Sequence, residues 1–212
     1  MEVFGTIVRF FQNGGPFMYP IVIILAIGLS IAIERYIYLT RSEAGNRKLW
    51  EKLQPLLSNG DYDGAFEVAS KSDAAVGQVL AYGISRMRTS SNRQDVEMSM
   101  EESLLEVTPQ LEKRTHYLAV LANVATLLGL LGTIIGLIAG FTAVANVNPA
   151  EKADLLSASI SVAMNTTAFG LIVAIPLLLL HAVLQTRTTA LVDSIEMASV
   201  KFLNTTRTTE PA

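Results

Sequence analysis

Three stretches of this 212-residue chain, 10–33, 115–150 and 155–186, contain no Asp, Glu, Lys or Arg. Each exceeds the roughly 20 apolar residues that a helix needs to cross the hydrocarbon core of a bilayer. Such a chain is not a water-soluble globule, and the pattern predicts an all-α integral membrane protein with three transmembrane helices. Its 16 Lys and Arg and 19 Asp and Glu are crowded elsewhere, 24 of them between Glu34 and Arg114. A net charge of −3 provides no basic footprint for nucleic acid. The absence of Cys excludes disulfides, thiolate zinc sites, iron–sulfur clusters and c-type haem attachment.

Lys and Arg accumulate on cytoplasmic flanks of membrane helices. Arg35, Arg41, Arg47 and Lys48 follow the first span, Lys113 and Arg114 precede the second, and Arg187 follows the third. The opposite flanks hold only Arg9 and Lys152. The expected layout is therefore an outer interfacial segment at 1–16, a first span at 17–39 and a cytoplasmic helical domain at 40–114. A second span follows at 115–146, an outer loop at 147–154, a third span at 155–186 and a cytoplasmic helical tail at 187–212. The start lacks the basic region and small-x-small exit of a cleavable signal, so the first segment is expected to be retained. Val3, Phe4, Ile7, Val8, Phe10 and Phe11 around Arg9 fit a short interfacial helix, with a frayed terminus as the alternative.

Helix-spaced apolar residues recur through the cytoplasmic segment. Leu49, Leu53, Leu56 and Leu57 repeat until Asn59-Gly60, where Asp61 or Asp63 can cap the next helix. Val76, Val79, Leu80, Ile84 and Met87 form a further run. Val96, Met100, Leu104, Val107 and Leu111 predict a long amphipathic helix towards span two, with a bend at Pro109 that a neighbouring bundle could absorb. Leu191, Ile195, Ala198 and Phe202 continue the third span inward.

The second span separates by side-chain size. On a wheel advancing about 100° per residue from Gly132, the residues Ala122, Ala125, Thr126, Gly129, Thr133, Gly136, Gly140 and Ala143 fall between about 0° and 120°. Leu127, Leu128, Leu130, Leu131, Ile134, Ile135, Leu137, Ile138 and Phe141 fall between about 140° and 320°. Span three has a weaker counterpart in Ser159, Ala163, Thr166, Thr167, Gly170 and Ala174, into which Leu177 intrudes. Small faces let helix backbones approach closely in lipid. Two readings stand: ordinary packing faces, or small hydroxyl-bearing faces turned to a pore.

Ion pathways usually need ionisable groups inside the membrane, and spans two and three have no Asp, Glu, Lys or Arg. His116 and His181, near the inner span ends, are expected to be structural. Glu34-Arg35 reads as an anchor with a local ion pair, and Asn165 as an inter-helix hydrogen bond.

Segments 13–39 (NGGPFMYPIVIILAIGLSIAIERYIYL), 111–141 (LEKRTHYLAVLANVATLLGLLGTIIGLIAGF) and 160–180 (ISVAMNTTAFGLIVAIPLLLL) resemble the MotA/TolQ/ExbB proton-channel family in its three-span ExbB/TolQ branch. The middle one is the most specific. The resemblance implies a homopentameric ring whose second and third helices enclose a pore in the bacterial inner membrane. It also implies a single-span ExbD/TolR-like partner carrying a membrane Asp, and a TonB-like or TolA-like protein to be energised. No cofactor or metal is implied. Thr133 matches the family's GT threonine, Thr167 the threonine of TA-x-GL, and Pro176 the proline of AIP. Val162 stands where many members carry Glu, and Thr126 where Pro is common. The expected function is an ExbB-like proton-channel stator that energises TonB-dependent transport. The alternatives are a TolQ-like role in envelope integrity and a non-conducting membrane scaffold. The chain has no H-E-x-x-H, P-loop or G-x-S-x-G motif, and an enzyme is not expected.

Overall fold

The computed structural model describes residues 10, 11, 14–90, 92–145 and 147–206. They form six helices: α1 Met18–Ser58, α2 Tyr62–Ser70, α3 Ala75–Thr89, α4 Arg93–Glu112, α5 Thr115–Val144 and α6 Pro149–Thr206. Three helical stretches, Met18–Ser58, Arg93–Val144 and Pro149–Thr205, are long and apolar enough to cross a membrane. The expected interfacial helix lies mostly outside the described residues. Of it, Phe10 and Phe11 are helical and set their rings edge-on to Phe169.

The described residues divide into two compact units. One comprises residues through Ile33 together with Arg114–Val183. Its core is built from small residues. Ala122, Ala125 and Ala163 are fully buried, and Ala174 nearly so. Leu127, Ile134, Ile138 and Phe141 of α5 and Ile172, Ile175 and Leu179 of α6 remain exposed. Water would not tolerate so much outward apolar surface, whereas lipid tails match it. A Cβ on Gly170 would stand 2.7 Å from the Ala125 carbonyl oxygen, and one on Gly129 would stand 3.2 Å from that of Thr166. Further along, Gly136 opposes Ala163 and Gly140 opposes Ser159. The seam thus runs antiparallel along both helices. Leu177, the residue that breaks the small stripe of α6, is fully buried and fills the space left by Gly28 of α1.

The other unit comprises Glu34–Lys113 with the described residues from Leu184 onward. Gly60, at φ +74°, ends α1's extension, and Asp61 Oδ1 then accepts the Gly64 N–H at 2.9 Å to cap α2. No side chain of its own caps α3. Instead, the buried Asn46 of α1 accepts the Val76 N–H at 3.2 Å across the unit. Gly83 gives α3 a surface on which Met100 of α4 and Phe202 of α6 rest. Leu191, Ile195, Ala198 and Phe202 are buried.

One local expectation changes. On α4 the buried line is Val96, Met100, Ser103, Val107 and Leu111. Leu104 lies at its edge because a straight helix drifts off a strict four-residue step. Pro109 lies within the helix, which runs on to Glu112, and the chain turns at Lys113 and Arg114, where Arg114 takes φ 66°. Arg35, only 2% exposed, donates from its guanidinium to the Leu111 carbonyl and lies 4.6 Å from the Tyr38 ring centre. Carbonyls in a last helical turn lack intrahelical donors and favour a cation.

Gly170→Ala is expected to push α5 and α6 apart at a cost of about 1–3 kcal/mol, lowering the unfolding midpoint in detergent. Gly45→Ala meets nothing within 4 Å, and removing a helix glycine there should stabilise by about 0.5–1 kcal/mol. Equal midpoints for the two variants would contradict the seam. Asn46→Ala deprives α3 of its cap, with an expected loss of about 1 kcal/mol and faster amide exchange in its first turn.

Candidate functional site

Thr133 of α5 and Thr167 of α6 meet at the edge of the glycine seam, and their hydroxyls are within hydrogen-bond contact of each other. Thr167 Oγ1 also donates to the Gly129 carbonyl at 2.9 Å. Thr133 Oγ1 lies 3.2 Å from the Gly129 carbonyl and 3.3 Å from that of Ala163. Gly129 makes the arrangement possible, because a side chain there would hold α6 away. Each hydroxyl has one proton to donate and two lone pairs to accept with. Two donors facing two carbonyls and one another leave acceptor capacity free. Both threonines are only half-buried, so a water or a protonated group can reach that capacity. A threonine hydroxyl passes a proton along a hydrogen-bonded chain but does not store one.

The rest of the seam is structural. Gly129, Gly132, Gly140, Ala163, Thr166, Gly170 and Ala174 are buried within the chain itself, with Gly136 and Ser159 half-buried beside them. These positions are occupied in packing one helix on the other. Thr166, about 100° from Thr167 on the wheel, turns elsewhere and donates to the Gly14 carbonyl at 2.6 Å. Val162 and Thr166 line a cavity of about 270 Å³ with Gly14, Phe17 and Gly132. The turn before α1 and α1 itself therefore cover one flank of the seam. The threonine pair emerges on the other.

Thr126 is exposed, with its hydroxyl bonded back to the Ala122 carbonyl at 3.1 Å. Pro176 is exposed inside an unbroken α6. His181 Nδ1 meets the Thr115 carbonyl at 3.1 Å, tying α6 to the start of α5, while His116 lies against Tyr117. Asn165 is half-buried, and no hydrogen bond to it is present among the described residues. Sorting span two by size passes over Asn123, which is neither small nor greasy. It is exposed on α5 about 60° from Thr126 on the wheel. A lone amide in an apolar helix was the available signal.

The model of the MotA/TolQ/ExbB proton channel family matches residues 71–197. A putative biopolymer transport protein ExbB homolog of Methanothermobacter thermautotrophicus is 29% identical over 199 residues, covering 93% of this chain and 69% of that protein. Biopolymer transport protein exbB1 of Vibrio cholerae is 38% identical over 73 residues, 34% of this chain and 32% of that protein. The family match takes in α5, its glycine ridge and both threonines. With three helices fit to span a membrane and a hydroxyl pair between two of them, the chain belongs to the MotA/TolQ/ExbB proton channel family.

Proposed function

We propose that the chain is an ExbB-like stator subunit of the bacterial inner membrane, with its N-terminus outside and its C-terminus in the cytoplasm. Copies assemble as a pentameric ring in which the Thr133–Thr167 pairs face a central pathway. A single-span ExbD-like partner contributes a membrane Asp to that pathway, and proton flow through the complex energises a TonB-like protein. The observation that carries this reading is the half-buried hydroxyl pair in two spans that have no Asp, Glu, Lys or Arg of their own. Such a pair hydrogen-bonds and relays but cannot hold a proton, so the proton-binding carboxyl has to come from another chain. The family match and the ExbB-named relatives support the same assignment.

Energetics permit the coupling. One charge crossing a potential of 100 mV releases about 2.3 kcal/mol, several times thermal energy. When the Thr133 or Thr167 hydroxyl swings its one proton from a backbone carbonyl to a carboxylate, that carboxylate is favoured in its charged form, and protonation lets the hydroxyl return and frees the partner helix to move on to the next pair.

Thr133→Val and Thr167→Val keep side-chain shape and remove the hydroxyl. A hydrogen bond to a charged group contributes about 1.5–3 kcal/mol, so proton flux through the reconstituted complex should fall about tenfold or more in each variant. Normal flux and normal energised uptake in both would refute the role. A purified ring without a central partner helix would favour a passive scaffold.

A further inference from the structure

The open flank of α5 is polar at one end and greasy at the other. In helical steps of three and four it presents His116, Ala119, Asn123, Thr126, Leu130, Thr133, Leu137 and Phe141. From Thr133 towards the start of the helix, hydroxyl, amide and imidazole groups recur, and His116, Asn123 and Thr126 are exposed. Towards the other end the strip holds Leu137 and Phe141. No hydrogen bond to the Asn123 side chain is present among the described residues. A primary amide turned out of the bundle into hydrocarbon would forfeit its hydrogen bonds with water at high cost. The amide needs a hydrogen-bonding partner, and beside the threonine strip water can supply it.

From these observations we infer that Asn123, with Thr126, forms the inner rungs of the proton's path, holding water between the Thr133–Thr167 pair and the cytoplasm. The inference rests on the reading proposed above and extends it to the exit side. Asn123 and Thr126 are separated by a rise of about 4.5 Å, and Thr126 and Thr133 by about 10.5 Å. About three waters at ordinary hydrogen-bond spacing bridge the longer gap past Leu130. The amide both donates and accepts, so it anchors such a chain in either proton-transfer direction. Leu137 and Phe141 leave the outer half of the same strip dry. A proton released at the threonine pair then has a wetted way inward and none back along α5. Asn123 acts by positioning water and binds no proton itself.

The chain has no cysteine, which permits a direct test. Asn123→Cys, Thr126→Cys, Leu127→Cys and Phe141→Cys are placed singly in the full chain, replacing the native copy, and inverted membrane vesicles are treated with a membrane-impermeant methanethiosulfonate. Only a thiolate reacts and a thiolate requires water, so positions 123 and 126 should label about tenfold or more faster than 127 and 141. In parallel, Asn123→Leu should lower proton flux about tenfold while Asn123→Ser retains most of it, since a hydroxyl still anchors water. Equal labelling at 123 and 127, or full flux in Asn123→Leu, overturns the inference even if the threonine variants behave as proposed. If the threonine variants leave flux unchanged, the parent reading fails, and the labelling rates alone still decide whether the inner strip is hydrated.

Discussion

The contact between Gly129 and Gly170 sets the geometry of everything around it. Lipid tails are as apolar as leucine, so no hydrophobic force drives α5 against α6; close packing of backbone on backbone has to do so. Removing both Cβ atoms allows the main chains to touch near the Ala125 and Thr166 carbonyls. Only at that separation does the Thr167 hydroxyl reach the Gly129 carbonyl of the opposite helix. The hydroxyl pair is a consequence of the glycine seam, and larger residues in the seam would leave two isolated threonines, each bonded to its own helix.

This division of labour explains why a channel-family chain has so little charge where the membrane is thickest. A carboxylate fixed in the seam would need a permanent partner, and that partner would hold it in one protonation state. Hydroxyls bonded to carbonyls are neutral, tolerate burial and remain able to accept a further hydrogen bond. On the proposed reading, such a site shapes proton transfer carried out on another chain's acid. Arg35, at the end of the first span, and Asn46 beyond it show the opposite strategy, where a buried cation and a buried amide each close the open end of a helix.

Much of this was legible from the residues alone. Three uncharged stretches announce three spans, because charge in hydrocarbon is costly whatever the fold. The size sorting along span two identifies the face that packs, and the Asp61 cap and the Leu191–Ile195–Ala198–Phe202 line follow from local helix rules. Other features depend on neighbours distant in sequence. Leu177 looks like an intruder until Gly28 of α1 is placed opposite it. The turn after α4 falls at Arg114, a non-glycine residue at φ 66°, which no local pattern marks.

What the chain's composition and periodicity determine is the medium it lives in, the number of helices and the face each one buries, since these depend on transfer free energy and on 3.6-residue repetition. Which members of the small face are consumed in packing and which stay open was decided only in three dimensions. Thr166 and Thr167 are adjacent in sequence and alike in chemistry, yet one is tied to the Gly14 carbonyl and the other meets Thr133. A rotation of about 100° separates them, and no local rule states which side of that rotation α1 will cover.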